Sequence, residues 1–364
     1  MVFLRETLAV DPVDQVISRA IAEGVFPGAV VHIQKGGQVL KRAAYGSSML
    51  YADRHTRLEE PIPATVETIF DLASLTKVVT GTAVMHLMER GLITLDAPVH
   101  TYLEPFARRD KRTITVRQLL THTSGLPSGR PFFRHLHDAA TIARAVAHVR
   151  PVGRPGEQVI YSDLNFIAAG ALVSAIAGMP LDRFLESWLF APLGLRHTGY
   201  RPYGGACRGV AATEYQAGRG MVWGVVHDEN AHAMGGVSGH AGLFSTADDL
   251  AILSAMLLHE GRHGVTRVLE PTTVREVFSV QTGSLRPERG LGWQGQDPSW
   301  MGSMISPRAF GHTGFTGTSI LLHLDRQLSV ILLTNRVHPR RTGPSLAPVR
   351  AAVADAAMSQ EGKD

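Results

Sequence analysis

The chain has 364 residues, 44% of them hydrophobic and 19% charged, with a formal charge of +4 and a pI of about 9.4. That balance describes a protein that buries a sizeable core, and a length above twice the roughly 150 residues allowed per domain predicts two lobes. It excludes a nucleic-acid partner: the arginines are scattered, and the densest basic cluster, RRDKR at 108–112, is a short solvated turn without reading aromatics.

At the start, MVFLRETLAV is broken by Arg5 and Glu6 before an apolar run can build, so it does not read as a leader. Asp11-Pro12 then signals a helix, a capping carboxylate followed by proline at the first helical position, with Val13, Val16, Ile17, Ala20 and Ile21 on one face. GAVVHIQKGGQVLKRAAYG (28–46) reads as a β-hairpin around Gly36-Gly37. From about Leu75 to Gly178 the pattern is mostly helical; its most apolar run, FIAAGALVSAIAGM, is shorter than the roughly 18 residues of a membrane span. Near the end, TSILLHLDRQLSVILLTN (318–335) reads as two strands apolar on both faces, hence central in a covered sheet. SLAPVRAAVADAAMSQ closes the chain as a helix.

Strands near both ends with helices between predict an α+β fold: one antiparallel sheet flanked by terminal helices, plus an all-helical lobe. The expected division is one catalytic domain (1–364) with an α/β lobe from 1–76 and 236–364 and a helical lobe from 77–235. A cytoplasmic location with no membrane partner is the corresponding expectation. Cys207 is the only cysteine, which excludes an intrachain disulfide and a thiol metal site.

DLASLTKVVTG (71–81) places Ser74 and Lys77 three residues apart, where an apolar stripe of Val78, Val79, Val84 and Leu87 begins. Residues at that spacing share a helix face. A helix starting near Ser74 sets the hydroxyl beside unpaired backbone N–H groups and the positive end of the helix dipole, where a developing oxyanion is stabilised. For Lys77 to accept the hydroxyl proton, its pKa must fall from about 10.4 to near 7, which takes roughly 4–5 kcal/mol of desolvation or like-charge repulsion. Burial on the helix is expected to supply it.

S-L-T-K is followed by YSD at Tyr161–Asp163 and by HTG at His312–Gly314. In order and separation these resemble the Ser-x-x-Lys, Tyr-x-Asn and Lys-Thr-Gly elements of the penicillin-recognising serine hydrolases, a superfamily of class C β-lactamases, D-alanyl-D-alanine peptidases and family VIII esterases. LMERGLITLDAPVHTYLEPF, ITVRQLLTHTSGLP, PGEQVIYSDLNF, GHAGLFSTADDLA and GHTGFTGTSI also resemble family segments, so the likeness touches most of residues 20–340. It implies Ser74 as nucleophile, Lys77 and Tyr161 as its proton partners, and the backbone amides of Ser74 and Phe315 as oxyanion donors. Which of Lys77 and Tyr161 is the base stays open, the two titrating as a set. Asp163, His312, Thr313 and Gly314 are implied to border a small ester or amide substrate, and no cofactor is required.

Two positions depart from the β-lactamase pattern. His312 replaces the lysine, exchanging a permanent cation for a ring mostly neutral near pH 7, and Asp163 replaces the asparagine. An added carboxylate repels anions, so carboxylic esters or peptidoglycan-like amides are expected in preference to β-lactams; Asn165 is a candidate for the missing amide. VHDENAHAMGGVSGHAGLFST (226–246) reads as a loop bordering the cleft, with Asp228 or Asn230 as candidate substrate contacts, and resembles a segment of muropeptide amidases. Two rival classes are a penicillin-binding sensor that acylates without turning over, and a metal hydrolase using the 227–240 histidines. The spacing there is not His-Glu-x-x-His, so no metal is the main expectation.

Overall fold

A computed structural model describes residues 11–360 apart from 109, 203–206 and 208. The first helix, Pro12–Ala22, starts where the capping pair predicts: the Asp11 carboxylate accepts from the Val13 N–H at 2.8 Å, and Val13, Ile17 and Ala20 are buried. The hairpin strands are Gly28–Lys35 and Gln38–Tyr51, joined through Gly36 and Gly37, whose φ angles of 55° and 87° suit a residue without a side chain. Strand Arg57–Pro63 follows. Strands Ala309–Thr313, Ser319–His323 and Leu328–Thr334 come from the other end of the chain.

These six strands form one antiparallel sheet in the order 309–313, 319–323, 328–334, 28–35, 38–51, 57–63. The two chain ends meet where Ala29 pairs with Thr334 and Lys35 with Leu328. Strand 28–35 is buried on both faces. Ala29, Val31 and Ile33 join Leu321, Val330 and Leu332 under the terminal helices, against Val13, Ile17, Val353 and Ala357. Val30, Ile320, Ile331 and Leu333 belong to the core on the other face, where helix Ala247–Leu258 packs on the sheet. Each such side chain contributes about 1.5–3 kcal/mol by burial, which is why these strands read as continuous apolar runs.

Helices Thr76–Glu89 and Asp163–Ala177 pack on each other and are buried around most of their circumference, not along one stripe. Between them, helix is confined to short pieces such as Val116–Leu120 and Ala139–Val146. Pro127, Pro131, Pro151 and Pro155, with Gly125, Gly129, Gly153 and Gly156, interrupt the pattern that read as helix. Gly239 lies so close to the 163–177 helix that a Cβ there would collide with the Phe166 carbonyl and the Gly170 backbone. That contact brings the Gly239 and His240 carbonyls to the 76–89 helix, where Thr80 donates to the first at 2.8 Å. Among the described residues no single helix is long and apolar enough to cross a membrane.

Candidate active site

Ser74 occupies a 3-10 turn, Ala73–Leu75, that feeds the helix Thr76–Glu89. Ala73 has φ of 47°, a left-handed conformation that costs a residue with a Cβ about 1–2 kcal/mol. Four hydrogen bonds hold this strained turn. The buried Asp71 carboxylate accepts from the Ala73 N–H at 2.9 Å and from the His227 N–H at 2.7 Å. Thr316 Oγ1 donates to the Asp71 carbonyl at 2.7 Å and Thr318 Oγ1 to the Leu72 carbonyl at 3.0 Å. Burial pushes the Asp71 carboxyl above its usual range, against those two N–H bonds. Gly314 abuts the same turn, since a Cβ there would collide with Thr318 and the Leu72 carbonyl. The edge strand and the Ser74 turn are therefore locked together.

Lys77 is fully buried one turn on. Its Nζ donates to Ser74 Oγ at 2.9 Å and to the His240 carbonyl at 3.1 Å, and lies 2.8 Å from Asp163 Oδ1. The expectation of a neutral lysine is corrected here. Burial alone would lower its pKa, but the Asp163 charge, then Tyr161 and the Asp163 hydrogen bond, outweigh burial and hold the ammonium above the ordinary lysine range. Asp163 is likewise no free repelling carboxylate: its charge is taken up by Lys77.

Tyr161 stands at the cleft, its ring 5.0 Å from Lys77 Nζ and 5.6 Å from the Arg289 guanidinium carbon. The His122 ring lies 4.5 Å and the His312 ring 6.1 Å from it. Burial, then the charges of Arg289 and Lys77, keeps His122 well below the usual imidazole value, so it is neutral. His122 Nδ1 accepts from the Ser162 N–H at 3.0 Å, fixing the turn that carries Tyr161. Asn165 is buried behind it, accepting from Ser124 Oγ at 2.6 Å, and supplies no amide to the cleft. His312 is buried rather than cleft-lining. Burial, then Lys77 and Arg289, lowers it to about 3, and its Nδ1 donates to the Thr313 carbonyl at 2.9 Å.

The cleft has a volume of about 530 Å³ and is bordered by Ser74, Tyr161, Asp163, Thr313, Gly314 and Phe315. Among the described residues neither the Ser74 nor the Phe315 N–H donates to a protein acceptor. Two cations reach the cleft from other elements. Arg336, after the strand Leu328–Thr334, and Arg350, in the last helix, both line the cleft, and neither pairs with a carboxylate among the described residues. Arg350 donates to the Thr318 carbonyl at 2.9 Å, its Nε is buried without a partner, and burial, then Arg336, lowers it to about 10. It remains a cation at neutral pH. Sequence reasoning missed this pair, although TNRVHP carries Arg336 in plain view, because it sought the charge only at the position of the motif lysine.

The 226–246 segment forms the facing wall. Asp228 caps the short helix Glu229–Ala233 through the Ala231 N–H at 2.7 Å and pairs with His240 Nε2 at 2.9 Å. Asn230 does not face the cleft: it ties the Phe133 N–H (3.0 Å) to the Arg130 carbonyl (2.8 Å). His227 pairs with Glu214 at 3.0 Å, and Arg341 forks onto Glu214 and reaches Glu229 at 2.6 Å. The loop histidines thus diverge to separate partners. Among the described residues only His240, with Asp163 and Asp228, offers ligand atoms within 4.8 Å of one another, and there the Lys77 ammonium already stands against Asp163.

The model of the Beta-lactamase family matches residues 13–355. The chain is 34% identical to an N-acetylmuramyl-L-alanine amidase of Bacillus subtilis (strain 168), over 92% of this chain and 83% of the relative. It is 31% identical, over 92% of this chain and 84% of the relative, to an Escherichia coli (strain K12) protein provisionally named a D-alanyl-D-alanine carboxypeptidase. Among solved structures, EstCE1, described as a hydrolase with promiscuous acyltransferase activity, superposes with a TM-score of 0.75 at 26% identity, covering 95% of this chain and 97% of its own. A class C β-lactamase from Rhodobacter sphaeroides shares the fold with a TM-score of 0.74 at 20% identity, covering 96% and 99%. A strained serine turn, a buried lysine and a glycine-bearing edge strand brought to one cleft accord with these matches: the chain belongs to the β-lactamase family of hydrolases.

Proposed function

We propose that this hydrolase works through a covalent acyl-enzyme on Ser74 and cleaves an amide, or secondarily an ester, that carries a carboxylate near the scissile bond. The observation that carries the reading is the 2.9 Å contact between Ser74 Oγ and the buried Lys77 Nζ inside the cleft. Because Lys77 is held as an ammonium, Tyr161 is assigned the base role. Set beside the Lys77 and Arg289 cations, it carries the Ser74 proton as Oγ bonds to the carbonyl carbon. The Ser74 and Phe315 amides receive the oxyanion; Tyr161 then returns the proton to the departing amine or alkoxide, and water releases the acyl group by the reverse path.

Arg336 and Arg350 supply the preference for an anionic substrate, and the amide-cleaving names of the two relatives point the same way. A panel of p-nitrophenyl acetate, N-acetylmuramoyl-L-alanine and an acyl-D-alanyl-D-alanine peptide tests the reading. Multiple turnovers are expected, with at least tenfold higher kcat/KM for a carboxylate-bearing amide than for its methyl ester. A single stoichiometric acylation without turnover would establish the sensor alternative instead.

A further inference from the structure

A second cavity, of about 810 Å³, adjoins the cleft, and Glu229 and Arg341 line both, with Glu214 on the side of the second. The dividing post is rigid. Arg341 Nε contacts the two Glu214 oxygens at 2.9 and 2.7 Å, and its Nη2 lies 2.6 Å from Glu229. Beyond the post, the walls combine the half-buried rings of Phe133 and Tyr215 with the planar polar groups of Gln216 and Arg219. These planes are fixed in advance: Arg219 donates to Gln216 Oε1 at 2.9 Å and to the Val226 carbonyl at 2.7 Å. Arg219 and Arg341 balance Glu214 and Glu229, so the inner wall selects no ion, and the further lining cation, Arg54, is exposed to solvent. Among the described residues the Tyr215 hydroxyl has no protein partner. Aromatic rings beside planar donors and acceptors suit a ligand with an apolar ring face and a rim of hydroxyl and amide groups.

We propose that this cavity is a pyranose subsite: it holds an uncharged N-acetylated sugar ring while the attached acyl group reaches past Arg341 to Ser74. The proposal rests on the amide-hydrolase reading and assigns that reading a sugar-bearing substrate. Tyr215 and Phe133 are its ring-contacting residues, and Arg341 is the positioning post between the two rooms.

The test compares kcat/KM for N-acetylmuramoyl-L-alanine with that for p-nitrophenyl acetate, which is too small to reach the second cavity. In Tyr215→Ala and Phe133→Ala the ratio of the two is expected to fall at least tenfold, chiefly through KM of the sugar substrate, with Tyr215→Phe intermediate. A ratio that stays within twofold of wild type in both alanine variants overturns the proposal. So does an equal loss on both substrates, which marks a structural role. Binding of N-acetylglucosamine to the Ser74→Ala protein, followed by saturation-transfer NMR, decides the subsite without any turnover. Signal that weakens in Tyr215→Ala supports it, and signal absent from the parent overturns it. Should wild type hydrolyse neither substrate, the Ser74 reading fails while the NMR result still stands for the subsite.

Discussion

Asp163→Asn removes the one carboxylate that pairs with Lys77 among the described residues while preserving the side-chain shape. Lys77 has no solvent-exposed side-chain surface and Asp163 is 33% exposed. Breaking a fully buried pair costs about 3–5 kcal/mol. Water at Asp163 screens part of that, and the asparagine oxygen still accepts from Nζ, which brings the expected loss to about 1.5–3 kcal/mol. The pH dependence has a definite sign. Lys77 is raised above its ordinary value of 10.5, so its contribution is fully present below that value and fades only as pH rises through the higher folded value. Urea unfolding followed by tryptophan fluorescence between about pH 6 and 9 should therefore show wild type more stable than Asp163→Asn throughout, with the gap widest at the acid end, because burial no longer opposed by the Asp163 charge lowers Lys77 in the variant. No gap would refute the ion pair. A wild-type stability that falls across that range, and ceases to fall in Lys77→Met, would refute the charged lysine.

Three further outcomes follow from the same contacts. Lys77→Ala should slow the acylation burst with p-nitrophenyl acetate by about 10²–10³-fold, the scale for losing a preorganised donor beside the reacting atoms, with circular dichroism retained; near-wild-type bursts would remove Lys77 from the chemistry. Asp71→Ala strands the Ala73 and His227 N–H groups in a buried setting, at about 1–3 kcal/mol each, and should depress kcat more than KM as Ser74 loses its hold. Asp71→Asn, which keeps one acceptor, should be intermediate, and equal losses in both variants would deny the acceptor role. For Glu214, burial would raise the carboxyl, but the His227 and Arg341 bonds hold it well below its ordinary 4.5. Its stabilisation is thus present above that value and lost as pH falls through the folded value, so Glu214→Gln should unfold more easily than wild type at neutral pH and approach it in acid. A gap that persists at low pH would contradict the ionic network.

The sheet was legible because its evidence is local and redundant. Asp11-Pro12 and Gly36-Gly37 punctuate the chain, and the doubly apolar strands 319–323 and 328–334 have one stable placement, at the centre. The family resemblance rested on short, ordered elements, and the structure brings Ser74, Lys77, Tyr161 and the Thr313–Phe315 edge to one cleft. Protonation was not legible. The state of Lys77 depends on the 2.8 Å approach of Asp163, a contact between residues 86 positions apart, so reading burial alone gave the wrong sign. Between residues 121 and 162 the apolar spacing overstates helix, because prolines and glycines on either side of Ala139–Val146 break the chain into turns. Arg336 and Arg350 escaped notice because they reach the cleft from a strand end and a helix that adjoin it only in the folded chain.

Mass spectrometry of the protein treated with a fluorophosphonate probe, digested and mapped, bears most directly on the nucleophile. One equivalent of adduct is expected, confined to the peptide that carries Ser74, with both the adduct and hydrolysis abolished in Ser74→Ala. Label on a different residue, or undiminished hydrolysis by Ser74→Ala, would contradict it.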